Sequence, residues 1–600
     1  MNIPLKQYGQ LLAHYLKPQR PQVAVLAALL FGSIGLQLVN PQVIRYFIDT
    51  AHSGGAQQTL LLAAVLFITF SVVQRGVALG ADTLAQTVGW RATNALRKDL
   101  MLHCLRLDMS FHKRHTPGEL IERIDSDVTA LANFFSRFSL HVIGNALLVV
   151  GILALLFRED ARVGVGLAAY AALTIIALFA VQRLAVARWK AARQARAEQF
   201  GFLEERISGA EDIRAARAEP TMLRRLYALM RGVLRTGRAA FVMGNLIFGL
   251  SNLMFVIGYA AGLAIGVVLY SQEQATIGTA YLIVLYVGML SAPMHKLREQ
   301  AQDLQQATAS IERVNELFAL KPLVRDVTSS EWRVTGDAAS SRVTRHPSLP
   351  QGPLSAEFRD VTFAYDGNET VLHGVSFQLQ PGKALGVLGR TGSGKTTLTR
   401  LLFRLYDPTV GSIRLNGVDL RDIALAELRG RVGIVTQDVQ LFQAALRDNL
   451  AFFNPRIRDE HIEHALKELC LWDWVMSLPD GLDTRQGAGG QGLSAGEAQL
   501  LAFARVFLKD PCLVILDEAS SRLDPFTETL LERAIDRLFA NRTGFIIAHR
   551  LRTVQRADDI LILDDGRGVE YGSRVALASD PNSRFYSLLH ASQELAEALA

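Results

Sequence analysis

Cysteine is scarce in this 600-residue chain. There are three, Cys104, Cys470 and Cys512, with neither paired nor metal-like spacing, so neither a disulfide framework nor a zinc site is supported. They read as reduced thiols on cytosol-facing segments. Charge is scarce too: Asp, Glu, Lys and Arg make up 20%, against about 25% in soluble domains. Half of the residues are hydrophobic and mean hydropathy is +0.19. Together these values exclude a disordered chain, a fibrous repeat and a simple soluble enzyme. Met1–Gln22 is polar and basic and lacks the short apolar core and small-residue cleavage site of a leader, so none is expected. It reads as an amphipathic lead-in along the inner membrane surface. The net charge of +6 would fit nucleic-acid binding, but basic cytoplasmic loops of a membrane protein give the same excess, so its location matters more than its sum.

What the chain has instead is apolar length, concentrated in its first half. Six stretches, Gln22–Tyr46, Leu60–Leu79, Phe138–Phe157, Val163–Val181, Phe241–Tyr270 and Thr276–Leu297, can cross about 30 Å of hydrocarbon at about 1.5 Å per helical residue. Buried helices of a soluble bundle rarely stay apolar on every face for this length. The connections Ala51–Gln58 and Ser271–Ala275 contain no Lys or Arg, whereas Arg183–Arg238 carries thirteen against six acidic residues. The positive-inside rule therefore places both termini and the two long connections in the cytoplasm. A transmembrane domain is expected over 1–320, a linker over 321–353 and a nucleotide-binding domain over 354–600.

The second half alternates short β-like runs with helical patterns, as an α/β domain does. The apolar run Ala384–Leu388 is followed by Gly389, Arg390, Thr391, Gly392, Ser393, Gly394, Lys395, Thr396 and Thr397, which fits G-x-x-x-x-G-K-[ST] between a strand and a helix. Such glycines let backbone N–H groups wrap phosphate oxygens at a helix N-terminus. Lys395 would reach the β and γ phosphates and Thr396 would ligate Mg²⁺. A second buried run, Cys512–Leu516, ends in Asp517 and Glu518, placed for a metal-binding carboxylate and a water-polarising one. A third, Phe545–Ala548, ends in His549, suited to the γ-phosphate only in that company.

With these motifs in this order, the chain resembles the ATP-binding cassette exporters: a half-transporter whose six-helix all-α membrane domain is fused to one α/β P-loop ATPase domain. The resemblance implies ATP and Mg²⁺ as ligands. It makes Tyr365 the residue that stacks on adenine, Gln437 the glutamine that contacts Mg²⁺ and communicates with the membrane domain, and Leu493-Ser494-Ala495-Gly496-Glu497 the signature segment. Asp524 falls in the D-loop, His549 is the switch histidine, and Glu518 is the catalytic carboxylate. Phe111–Leu120 and Gly209–Arg214 look like the two coupling regions. The family further implies two such chains, with each ATP held between one chain's phosphate loop and the other chain's signature, Ser494 and Gly496 included. ATP binding closes that sandwich and opens the cavity outward; hydrolysis resets it.

The signature departs from the family's Leu-Ser-Gly-Gly-Gln at Ala495, which adds a methyl where backbone approaches phosphate, and at Glu497, a negative charge near an anionic ligand if it points inward. Ala488 stands where related exporters usually carry a glutamate. The chain's own nucleotide residues match the family and its donated signature does not, so a heterodimer with a second half-transporter is favoured over a homodimer. The expected function is ATP-driven export from a prokaryotic-type plasma membrane of an amphipathic drug, lipid or peptide, with no nucleic-acid partner; the alternative is a nucleotide-regulated, non-pumping or attenuated subunit. Polar residues within the spans (Gln37, Asn40, Gln74, Asn145, Asn245, Asn252) line a cavity or bond between helices, the latter being commoner. Arg45 and Arg75 either snorkel or face a water-filled pathway. Glu518→Gln is expected to keep ATP binding and slow hydrolysis severely, and Lys395→Ala to weaken binding itself. Nucleotide-binding and turnover assays on the two purified variants check this; wild-type turnover in the first or unchanged affinity in the second would contradict the assigned roles.

Overall fold

The computed structural model describes residues 13–137, 142–327, 348–365, 369–437, 439–487, 493–517, 525–548 and 554–599. The chain forms two compact units: Met1–Leu105 with Pro117–Leu320, and Arg106–Thr116 with Lys321–Ala600.

The first unit is helical. Its long helices are α1 (Arg20–His52), α2 (Gln57–Arg106), α3 (Gly144–Glu159), α4 (Ala161–Ser208), α5 (Glu219–Ser271) and α6 (Ile277–Ala319). A helix satisfies every internal backbone group within one segment, which an apolar surrounding demands. Among the described residues, Ala13–His52, Gln57–Arg106 and Glu219–Ser271 are long and apolar enough to cross a membrane, and Ala161–Ala177 and Ile277–Leu290 are shorter apolar segments. Of the apolar stretch Phe138–Phe157, residues 138–141 lie outside the described residues and Gly144–Phe157 lies on α3. The helices outrun the apolar stretches: α2 has 50 residues, about 75 Å of helix.

Small residues and buried polar groups hold this bundle together. Gly258, Gly262 and Gly266 lie one turn apart on α5; a Cβ at Gly258 would fall 2.5 Å from the Tyr170 ring, and one at Gly266 would fall 3.2 Å from Ala280. Such spacing lets helix backbones approach where apolar attraction between helices is weak. The Tyr170 hydroxyl donates to Met254 O at 2.9 Å. Asn40 donates to Ser71 Oγ at 2.7 Å and Gln74 to Ser33 Oγ at 3.2 Å, so these two polar residues bond between α1 and α2. Arg45 pairs with Glu159 at 2.6 Å, while Asp49 accepts from Gly278 N and Thr276 Oγ1, both at 2.9 Å, tying α1 to α3 and α6. Elsewhere in the unit the buried Asp127 accepts from Ser310 Oγ at 2.9 Å and Arg313 Nε at 2.8 Å. Apolar side chains of α2 and α5 such as Leu62, Ile68, Val72, Phe248 and Val256 are exposed, as hydrocarbon-facing positions of a membrane domain are.

The second unit contains two sheets. One has the order β2 (Thr370–Leu379), β1 (Ala356–Ala364), β4 (Val410–Leu415), β5 (Val418–Asp419) and is antiparallel. The other has the order β10 (Arg567–Ser573), β9 (Asp559–Asp564), β3 (Ala384–Gly389), β8 (Thr543–Ile547), β7 (Leu513–Asp517), β6 (Val432–Val435). From β9 to β6 its strands are parallel. Strands covered on both faces read as unbroken apolar runs, and every residue of β7 and β8 is buried. The register aligns Val387, Ile547 and Asp517 across β3, β8 and β7, so the carboxyl ends of these strands share one edge, where ligands of open parallel sheets bind.

The short helix Met109–Arg114 belongs to this second unit. Asp108 caps it, accepting from Ser110 N at 3.1 Å and Phe111 N at 3.3 Å, and its other oxygen accepts from Leu323 N at 2.6 Å. Burial works to raise the Asp108 pKa, but those N–H donors outweigh it and hold the carboxyl below its ordinary value. Ala210–Ala215, in the region matched to the second coupling segment, forms a six-residue helix with no buried residue.

Candidate nucleotide site

The site starts where β3 ends. Leu385 and Val387 are fully buried, which fixes the strand, and the chain then leaves the sheet through Gly389. A Cβ on Gly389 would lie 2.3 Å from Leu563 O and 2.6 Å from Ser393 Oγ, so only glycine passes there. Gly392 and Gly394 have φ of +88° and +96°, a conformation side chains resist. Helix α7 (Lys395–Leu402) follows, with Gly394 as its N-cap and no side chain capping it. Its first N–H groups therefore present partial positive charge to whatever occupies the loop.

Lys395 is buried and donates to Gly389 O and Arg390 O, each at 2.8 Å. Burial pushes its ammonium below the ordinary lysine value, and the Asp517 carboxylate opposes that shift. Asp517, at the end of β7, is 5% exposed. The Ser393 hydroxyl is buried without a hydrogen-bond partner among the described residues. A loop closed to a Cβ at Gly389, a desolvated cation and an orphaned hydroxyl together fit a phosphate chain. The oxygen donors Thr396, Asp517 and Gln437 suit a hard divalent cation shared with phosphates.

Tyr365 stands beside this loop: its hydroxyl is 3.1 Å from Thr397 Oγ1 and accepts from Arg400 Nη1 at 3.2 Å. Lys113, on the helix Met109–Arg114, lies over the Tyr365 ring at 4.3 Å. That contact was not legible in the sequence, because the two residues are far apart along the chain and neither carries a motif that names the other.

The segment Leu493–Glu497 opens helix α8 (Ala495–Lys509). Ser494 is its N-cap and accepts from Glu497 N at 3.2 Å, while Glu497 Oε2 accepts from Ser494 N at 2.7 Å, a complete capping box. Glu497 Oε1 accepts from Trp474 Nε1 at 3.2 Å. The carboxylate is thus turned back along its own helix. Ala495 occupies the first helical position and is exposed, and Gly496 is buried; alanine costs nothing in helical backbone.

A family profile described as ABC transporter transmembrane region matches residues 23–294, and one described as ABC transporter matches 372–521. The ATP-dependent lipid A-core flippase of Thiobacillus denitrificans is 30% identical over 98% of this chain and 98% of its own length. The chain belongs to the ABC exporters. Like other half-transporters of that family it joins a helical transmembrane domain to one ATP-binding domain, and it is an ATPase coupled to translocation. A fatty acid ABC transporter ATP-binding/permease protein of Mycobacterium bovis is 30% identical over 87% of this chain and 79% of its own. A solved bacterial Atm1-family ABC exporter with ATP bound shares the fold, with a TM-score of 0.78 over 96% of this chain and 98% of that one at 24% identity.

Within this exporter the structure brings Gly389–Thr397, Asp517 and Tyr365 into one unit around the loop. Gln437 is exposed in the segment after β6. Glu518, Asp524 and His549, as well as Ala488, lie outside the described residues.

The lowered Lys395 pKa has a consequence for binding. An anionic triphosphate favours the charged lysine, so the pKa rises on binding, and the complex takes up protons wherever the free group has begun to lose its own. ATP affinity is expected to fall on the alkaline side at a lower pH than an ordinary lysine would set. Calorimetric titrations of the full-length protein from neutral pH upward, in buffers of different ionisation enthalpy, check this. Net proton uptake growing with pH is the expected result; its absence would contradict a desolvated Lys395.

Proposed function

We propose that the exporter moves an amphiphile with a lipid-like tail out of the cytoplasmic leaflet, driven by ATP held between two chains. The observation that carries the reading is the preformed phosphate cradle around buried Lys395, fused to a membrane domain. In it the backbone of Gly389–Thr397 wraps the phosphates, Arg390, Thr391 and Ser393 line the loop, and Tyr365 stacks on adenine. Thr396, Asp517 and Gln437 hold Mg²⁺, which when bound neutralises charge developing on the phosphates. Glu518 polarises the attacking water, His549 contacts the γ-phosphate, Asp524 lies at the chain–chain boundary, and the partner's signature closes the site. The cassette and both termini face the cytoplasm, and the membrane is the plasma membrane.

The substrate class is supported by relatives named as a lipid A-core flippase and a fatty acid transporter. Arg75 supports it independently: it is exposed within the apolar stretch Leu60–Leu79 of α2, and a cation among apolar residues is costly unless it serves a pathway or an anionic partner. Arg45 contributes no such charge, because Glu159 and Asp49 engage it. The expectation of a heterodimer rested on nucleotide residues that match the family beside a signature altered at Ala495 and Glu497. The capping box around Glu497 answers the charge part of that ground, since a side chain committed to its own helix does not repel a nucleotide. A dimer of two copies of this chain is the simpler assembly, and no observation favours a non-pumping subunit.

Reconstitution in liposomes tests the proposal. ATP hydrolysis should rise with anionic lipids or long-chain fatty acids, labelled lipid should change leaflet with ATP, and Arg75→Ala should reduce the anionic stimulation several-fold while sparing basal turnover. Stimulation by soluble peptides alone, or hydrolysis indifferent to every amphiphile, would contradict it.

A further inference from the structure

We propose that Trp474 is a positioning residue of the nucleotide site, acting through Glu497 to hold the signature segment in its phosphate-accepting conformation. The proposal rests on the reading above, in which Ser494 and Gly496 close on the partner's nucleotide. It gives the unusual glutamate of Leu493-Ser494-Ala495-Gly496-Glu497 a physical cause.

Trp474 sits on the short helix Trp472–Met476, 23 positions before Glu497. Its ring is packed into the cluster that contains Leu500 and Phe503, and it is 9% exposed. Its Nε1 edge reaches the first turn of α8, where it donates to Glu497 Oε1 at 3.2 Å. An indole N–H is a donor and nothing else, so the atom facing it must be an acceptor. The capping box already takes one oxygen of residue 497 for Ser494 N, at 2.7 Å. A glutamine has one acceptor oxygen and an amide nitrogen that can only donate. In this frame it would satisfy Ser494 N and oppose donor to donor against Trp474. A carboxylate accepts from both. Glutamate at the last signature position and tryptophan at 474 are therefore a matched pair.

The match also disposes of the charge. Both Glu497 oxygens receive N–H donors at a helix N-terminus, where negative charge is favoured. The Ser494 Oγ acts as acceptor for Glu497 N at 3.2 Å, which leaves its hydroxyl proton for a phosphate oxygen. If the indole donor is lost, Oε1 is released, the side chain is held by one bond, and the carboxylate can swing towards the anionic ligand. If the carboxylate is lost, two donors face each other and the first turn of α8 must shift. Either change alone disturbs the segment; both together restore a consistent arrangement, with a glutamine amide beside a phenyl ring.

The test is a double-mutant cycle in the full-length protein, using Trp474→Phe, Glu497→Gln and the combination. Each single substitution should raise the KM for ATP on the order of tenfold with kcat within about twofold, and the double variant should return to within about threefold of the parent. Melting temperatures of the four proteins separate positioning from folding, and Glu497→Gln, half-exposed, keeps the cycle informative if Trp474→Phe folds poorly. Losses that add in the double variant, singles without effect, or a Trp474→Phe loss confined to melting temperature would overturn the proposal. Ser494→Arg serves as the reference. If it abolishes hydrolysis while both singles behave as the parent, the positioning role alone fails. If it leaves hydrolysis intact, the assignment of Leu493–Glu497 to the nucleotide site fails with it.

Discussion

A lysine ammonium buried at the end of a parallel strand has to be compensated, and the cassette is arranged around that requirement. Lys395 is met by two carbonyls of its own loop, those of Gly389 and Arg390, each at 2.8 Å. Those carbonyls point inward only because the loop adopts backbone conformations that glycine permits. The same conformations open the start of α7, whose first N–H groups, uncapped by any side chain, add to the lysine's field. Burying a charge with so little solvent is expensive, and Asp517, aligned on the strand end two places along the sheet, offsets part of the cost. On the proposed reading a phosphate chain would offset the rest, and nucleotide binding would thereby gain energy to bias a conformational equilibrium.

The membrane domain answers a different constraint. Where the surrounding medium is as apolar as the side chains, helices associate through close backbone approach and a few polar contacts. The glycines at 258, 262 and 266 and the bonds from Asn40, Gln74 and Tyr170 do this here. The Arg45–Glu159 and Asp49–Gly278 contacts fasten α1 to α3 and α6, so charges that a sequence alone would offer to a substrate serve the scaffold instead. Arg75 is left as the exposed cation of its apolar stretch.

Much of the phosphate loop was legible in the sequence because its chemistry confines the required residues to nine consecutive positions, Gly389–Thr397. The strand ending in Asp517 was legible for a related reason: a doubly covered strand is an apolar run, and a carboxylate at its end is conspicuous. Helix lengths were not legible, since hydropathy marks only the apolar part of a helix such as Gln57–Arg106. Contacts between distant positions were also hidden. Lys113 over Tyr365, Asp127 with Arg313, and Trp474 with Glu497 join residues that no periodicity relates. Glu497 shows the cost of that blindness. Read alone it is a charge near a nucleotide; in its helix it is half of a capping box, its orientation set by Ser494 three residues before and an indole 23 positions away.

The claim on which the rest depends is that one ATP is completed by two chains, and subunit complementation tests it most directly. One differently tagged chain would carry Lys395→Ala and the other Ser494→Arg, so that each homodimer has two damaged sites. The mixed dimer, isolated through both tags, would have one wholly intact site and one doubly damaged site. Retention of about one nucleotide per mixed dimer after gel filtration with Mg²⁺, and none in either parent homodimer, is the result a shared site requires. A mixed dimer that retains no more than its parents would mean that phosphate loop and signature act within a single chain.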